Sequence, residues 1–352
     1  MTSNIIKDSI ELLKDLVSIE SFSFNENKTA KRIEKWFQFH EIKYTRVKNN
    51  VFAKNKYFDH SKPTILLNSH HDTVRPNDGY TNNPFESKIE NGKLYGLGSN
   101  DAGGALVSLI SVFTHFHNKK NLKYNLIILA SAEEECSGNH GISYVIPKLP
   151  NISFGIIGEP TLMKMAVAEK GLVVFDLEID GTSSHAAHEN NDNPILKSVE
   201  VLKWIKEIKF KKKSNFLGNT KATVTQINSG NQHNVVPSKV EIVLDVRVND
   251  KYNNKEIFEM LKNQAPCKII PRSLNLNSSS ISLDHPVVKA GEKLKIPQYG
   301  SPTLSDQSKV SFPTIKIGPG DSKRSHIADE YIFVNEIKNA IPTYIKLLEE
   351  II

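Results

Sequence analysis

Ile6, Ile10, Leu13 and Val17 recur at helical spacing among charged neighbours, which predicts a first helix with one buried face. A second amphipathic stretch, residues 27–40, carries Ile33, Trp36 and Phe37 on one side. Short, nearly all-apolar runs then alternate with helical patterns: 64–68, 105–117 (helical), 125–130 and 154–158. Runs such as Thr-Ile-Leu-Leu-Asn and Asn-Leu-Ile-Ile-Leu-Ala read as strands buried on both faces, as in a mostly parallel α/β sheet. Each ends in a cluster of polar residues. In open α/β sheets the active site lies beyond the carboxyl ends of the strands.

From Gly171 the period changes to two. Val173, Phe175, Leu177 and Ile179 share one face, and the other face is mostly polar, which predicts a half-exposed antiparallel strand. A helix at 194–209 follows, then strands at 222–227 and 240–248, a helix near 254–263 and a strand near 267–270. The order β-α-β-β-α-β suggests a ferredoxin-like module. After Pro286 the chain returns to helix and strand, with a strand at 310–317 and a terminal helix at 334–351. The fold class is therefore α/β, with one domain built from both chain ends (residues 1–170 and 281–352) and a small α+β domain inserted at 171–280.

Composition narrows the classes. A chain of 352 residues, 39% hydrophobic and 24% charged, suits roughly two globular domains. The formal charge is +6, and the longest basic run, 209–213, is interrupted by Phe210 at a helix end. It reads as a solvated helix end, since neither stacking aromatics nor a nucleic-acid module accompanies it. Cys136 and Cys267 are too few for a disulfide-stapled secreted domain. The N-terminus has no signal-peptide pattern, and no window approaches the ~18 continuous apolar residues of a membrane helix. The expectation is a cytoplasmic protein with neither nucleic acid nor membrane as partner.

Five strand-end loops carry the candidate chemistry. Ser69-His70-His71-Asp72-Thr73 follows the 64–68 strand; alternation puts His70 and Asp72 on one side and His71 on the other. Either imidazole is a candidate ligand, and alternation favours His70. Gly96-Leu97-Gly98-Ser99-Asn100-Asp101-Ala102-Gly103-Gly104 surrounds one carboxylate with glycines, and its spacing matches neither the dinucleotide fingerprint nor the P-loop. Glu133-Glu134-Glu135 follows the 125–130 strand, where three acidic residues need a cation to offset them, unless they form a solvated turn. Glu159 follows the 154–158 strand, and His326 lies in the loop after 310–317. Two His and several carboxylates suit zinc, cobalt or manganese, as in a catalytic two-metal hydrolase. Ser305 and Asp306 read equally as substrate contacts or as a solvated turn.

The ordered series Ser-His-His-Asp-Thr-Val, Gly-Leu-Gly-Ser-Asn-Asp-Ala-Gly-Gly, Glu-Glu-Glu, Gly-Glu-Pro-Thr and Gly-Pro-Gly…Ser-His-x-Ala-x-Glu resembles the co-catalytic zinc amidohydrolases. That family includes aminoacylase, acetylornithine deacetylase and succinyl-diaminopimelate desuccinylase. The resemblance covers essentially the whole chain and implies a zinc-exopeptidase-like catalytic domain with an inserted dimerisation or lid domain. It also implies two divalent ions per chain, zinc first, with cobalt or manganese as alternatives. His70 and Glu159 would bind one ion, Glu135 and His326 the other, and Asp101 both. Asp72 would orient His70, and Glu134 would be the general base. A cis peptide between Asp101 and Ala102 is implied as well. In the inserted domain, His185 would stabilise the oxyanion in the active site of a homodimer partner, Arg247 would grip the substrate α-carboxylate, and Asn234 would contact the substrate.

The implied activity is hydrolysis of an N-acyl amino acid, nearest to acetylornithine or acetylcitrulline deacetylation in arginine biosynthesis. The alternatives are a metallo-exopeptidase or a succinyl-diaminopimelate desuccinylase-like enzyme with the same metals, and a non-catalytic relative that kept the fold as a binding module. Loss of Glu134 or of a ligand would mark the last of these, and neither is lost.

Overall fold

The run Thr64–His70 is buried at every position, as is Asn125–Ser131. The computed structural model, which describes residues 2–352, explains this by sandwiching both strands between two apolar layers. Ile65 and Leu67 face a large core with Leu13, Phe37, Phe113 and Tyr344. Leu66 faces the opposite cluster with Phe52, Ile127 and Val145. Alternate residues of one strand thus enter different cores, which is why the sequence shows no polar alternation there.

The chain forms two compact units. The first comprises residues up to Val167 together with Ser280–Tyr299 and Ser305–Ile352. Its mixed sheet runs in the order Tyr44–Val47, Asn50–Lys54, Asn125–Ser131, Thr64–His70, Phe154–Ile157, Thr314–Lys316 and Met165–Glu169. The four strands from Asn125–Ser131 to Thr314–Lys316 are mutually parallel, and their neighbours on both sides are antiparallel. Helices Thr2–Val17, Gly104–Phe116 and Val334–Glu349 pack against one another in the larger core.

Several boundaries differ from those the sequence predicts. The 64–68 strand continues through His70, so that histidine ends a strand rather than following one. The predicted strand at 310–317 shrinks to Thr314–Lys316. Pro313 has no amide for a ladder, and Asp306–Lys309 closes into a short 3₁₀ turn instead. The hairpin Tyr44–Val47 and Asn50–Lys54 goes unpredicted because its turn, Lys48-Asn49, lacks glycine, although Lys48 sits at φ +57°.

The second unit comprises Ala168–Ser279 and Gly300–Leu304. Its antiparallel sheet has the order Lys221–Ser229, Lys239–Val248, Gly171–Asp180, Lys268–Pro271. With helices Pro194–Glu207 and Asn254–Lys262 between strands, this is the β-α-β-β-α-β arrangement. Val173, Phe175, Leu177 and Ile179 are buried with Val201 of one helix and Ile257 and Leu261 of the other. Asn193, whose side chain accepts from the Ile195 amide, and Pro194 in the first turn start the first helix. Among the described residues no helix is long and apolar enough to cross a membrane.

Candidate metal centre

Parallel pairing in register brings the strand ends to one edge. His70 lies opposite Ser131, from which the chain turns into Glu133-Glu134-Glu135. Phe154–Ile157 ends two residues before Glu159, and the loop after Thr314–Lys316 carries His326. Asp101 arrives from the glycine-rich turn that precedes helix Gly104–Phe116. Gly98 has φ +76°, and a Cβ on Gly103 would lie 2.4 Å from the Gly98 carbonyl oxygen, so the turn closes only with glycine there. The Asp101–Ala102 peptide is cis.

Asp101 stands between two imidazoles. His70 Nε2 is 3.3 Å from Asp101 Oδ1, and His326 Nε2 is 3.6 Å from Asp101 Oδ2. His70 Nε2 also lies 3.9 Å from Glu159 Oε1 and 4.0 Å from Glu134 Oε2. His326 Nε2 is 3.0 Å from Glu135 Oε2. Two donor clusters that could each hold a metal ion result: His70, Asp101 and Glu159, and Asp101, Glu135 and His326. Only Asp101 belongs to both.

Asp72 supports both His70 and the acidic turn. The nearest acceptor to His70 Nδ1 is the Asp72 carbonyl oxygen at 3.0 Å, with the carboxylate at 3.4 Å. The carboxylate accepts instead from the amides of Glu134 and Glu135, each at 3.1 Å, and from the Ser23 hydroxyl at 2.7 Å. His71 points away: its Nδ1 meets the Thr29 hydroxyl and its Nε2 the Asn49 carbonyl, both at 2.9 Å. Burial pushes His71 down to about 4, so it stays neutral there. Glu133 turns aside as well, at φ +57°, and accepts from the His140 amide.

The electrostatics call for cations. Burial, reinforced by neighbouring carboxylates, holds the Glu134 and Glu159 carboxyls well above the usual range. Burial also raises Glu135 and Asp306. Against the burial that disfavours its charge, His70 is held well above its ordinary range by Asp101 and Asp72. Contact with Glu135 raises His326 to about 9. Crowded carboxylates with only two imidazoles form a donor set that fits divalent ions of the zinc, cobalt and manganese type.

His185, Asn234 and Arg247 belong to the second unit. Ser184–His185 pairs antiparallel with Val235–Val236, and the Ala186 amide donates to the Asn234 carbonyl at 2.9 Å, so the two segments lie together. His185 and Asn234 are exposed. The Arg247 guanidinium is held by Asp245 at 2.9 and 3.1 Å.

Ser305 and Asp306 do not form a solvated turn, being 2% and 4% exposed. Asp306 Oδ2 accepts from Asn68 Nδ2 at 2.8 Å and Ser131 Oγ at 2.7 Å, below the strand ends. Glu330 receives no role from the sequence, yet it is buried and accepts the Asp101 amide at 2.9 Å. Burial, then the Asp101 charge, pushes its carboxyl up to about 8. Its place four residues after His326 in the motif series was the available signal.

A [LysW]-lysine/[LysW]-ornithine hydrolase of Saccharolobus solfataricus is 31% identical over 354 residues, covering 97% of this chain and 95% of the relative. A succinyl-diaminopimelate desuccinylase of Rickettsia bellii is 26% identical, covering 96% and 95%. The fold is similar to that of an M20 family metallo-carboxypeptidase from Sulfolobus solfataricus, with TM-score 0.77, 18% identity and coverage of 97% and 98%. It is also similar to a dinuclear metal binding peptidase from Bacillus subtilis, with TM-score 0.74, 16% identity and coverage of 98% of each chain. The profile of Peptidase family M20/M25/M40 matches residues 66–350. This chain belongs to that family of metal-dependent hydrolases.

Proposed function

We propose that the protein hydrolyses the amide bond of an N-acylated α-amino acid at a two-metal centre, with N-acetylornithine or N-acetylcitrulline as first candidates and arginine biosynthesis as the setting. The observation that carries this reading is the Asp101 carboxylate, with one oxygen toward each imidazole, and Glu134 Oε2 at 4.0 Å from His70 Nε2. His70, Asp101 and Glu159 would hold one ion and Asp101, Glu135 and His326 the other. Zinc, or cobalt or manganese in its place, would acidify a water and polarise the scissile carbonyl.

The chain's own residues do the rest. Asp72, through its bonds to the Glu134 and Glu135 amides, keeps two neighbouring carboxylates on separate tasks. Glu135 would help hold an ion, while Glu134 takes the proton of the attacking water and delivers it to the leaving nitrogen. His185 of a partner subunit donates to the oxyanion. Arg247 exchanges its Asp245 contact for the substrate α-carboxylate, which its planar fork matches, and Asn234 contacts the substrate. The helix Pro194–Glu207 supports a homodimer through the inserted module. Its Ile195, Leu196, Val199 and Leu202 form an exposed apolar stripe.

The relative named as a [LysW]-lysine/[LysW]-ornithine hydrolase favours a second reading, in which lysine or ornithine is released from such conjugates. Steady-state kinetics would separate the two. The panel is acetyl-ornithine, acetyl-citrulline, succinyl-diaminopimelate, a dipeptide and a lysine conjugate of LysW, each with added zinc or cobalt. The proposal expects acetyl-ornithine or acetyl-citrulline to give the highest kcat/KM. Preference for the LysW conjugate supports the second reading, and hydrolysis of none by the metal-loaded protein contradicts both.

A further inference from the structure

We infer that Glu330 is a positioning residue: its carboxylate fixes the backbone of the glycine-rich turn so that Asp101 is presented midway between His70 and His326. The inference rests on the reading of Asp101 as the shared metal ligand.

Glu330 is 1% exposed. Its Oε1 accepts from the amides of Asn100 at 2.8 Å and Asp101 at 2.9 Å, and its Oε2 from the amide of Gly98 at 3.2 Å. Its main-chain oxygen accepts from the Gly96 amide at 2.9 Å. One residue therefore holds four amides of the segment 96–101. Neither Asp101 nor Ala102 has helical backbone angles, so the turn before helix Gly104–Phe116 cannot satisfy these amides by ordinary helical bonding.

The same residue ties this turn to the loop of the second imidazole. His326 lies four residues before Glu330, and the strand Tyr331–Phe333 immediately after it pairs with Lys93–Tyr95, just before the turn. Asn100 completes the clasp: its Oδ1 accepts from the Asp321 amide at 3.0 Å, and its Nδ2 donates to the Asp321 carbonyl at 3.1 Å. The spacing of Asp101 from His326 is thus set by backbone held at both ends.

Both side-chain oxygens of Glu330 accept from amides of the turn, so both must be acceptors. A glutamine could meet Asn100 and Asp101 with its one oxygen but would turn an Nε2 donor toward the Gly98 amide. Groups that orient metal ligands in this way are typically worth about 10–100-fold in metal affinity when replaced.

The test compares amide swaps at two adjacent acids of one turn. Asp329 is the control, since its carboxylate accepts from the Thr81 and Asn82 amides, at 3.0 and 2.9 Å, and from the Thr81 hydroxyl. Zinc affinity is measured by chelator competition, and the thermal midpoint is measured on the metal-free protein. Glu330→Gln should weaken zinc binding by about 10–100-fold while the metal-free midpoint moves by no more than a few degrees. Asp329→Asn should leave zinc affinity unchanged, and Asp101→Asn should weaken it at least as much as Glu330→Gln. Wild-type zinc affinity in Glu330→Gln would overturn the inference, as would equal weakening by Glu330→Gln and Asp329→Asn. Unchanged affinity in Asp101→Asn would instead sink the ligand reading on which it rests.

Discussion

Two strands show how differently the two units make room for chemistry. Thr64–His70 is buried along its whole length, so it can offer a functional group only where it ends, at His70. Gly171–Asp180 buries every second residue and leaves its other face half-buried. In the first unit the candidate groups therefore gather at strand termini, where turns can point carboxylates inward. In the inserted module they lie at exposed or half-exposed positions: His185 on a short ladder, Asn234 just before its partner strand, and Arg247 along a strand. A sheet covered on both sides concentrates charge at one edge, whereas a half-covered sheet displays polar residues.

The sharpest way to break the comparison is at the acidic turn. Glu134→Gln should keep two ions per chain and lower turnover by ~10²–10⁴-fold, since it removes a base and no ligand. Near wild-type kcat at full metal occupancy would refute the assignment. In the inserted module, His185→Ala should cost ~10²–10³-fold in kcat, the usual loss for one oxyanion donor. Mixing it with Glu134→Gln chains and allowing exchange should return about half of a wild-type dimer's activity in the heterodimer, because one site is then free of both defects. Action in cis would return none.

Stability should divide in the same way. Leu67→Ala empties a fully buried position and should cost ~2–5 kcal/mol in denaturant unfolding. Leu196 is 68% exposed on the apolar stripe, so Leu196→Ala should change folding of the chain by less than ~0.5 kcal/mol. Sedimentation should nevertheless show weaker self-association for that variant. An unchanged dimer would remove the stripe from the proposed interface.

Much of the fold was legible because periodicity reports burial directly. Val173 to Ile179 alternate in sequence and in burial, and the β-α-β-β-α-β order follows from that change of period. The pair Tyr44–Val47 and Asn50–Lys54 was not legible, since its turn carries no glycine signal. At the site, motif order brings out residues whose side chains do chemistry. Asp306 stayed open between a substrate contact and a solvated turn, because its partners Asn68 and Ser131 lie 238 and 175 residues away. Glu330 stands in the motif series, but it received no role because its partners are backbone amides, which no residue identity reports.

The central claim is that one carboxylate serves two ions, and counting metals tests it most directly. Metal-free wild-type protein and Asp101→Ala would be titrated with zinc, and bound metal per chain measured by elemental analysis. The account predicts two tightly bound ions per wild-type chain and, for Asp101→Ala, weakened binding at both positions, in a protein that remains folded. Two ions bound to Asp101→Ala with wild-type affinity would contradict it.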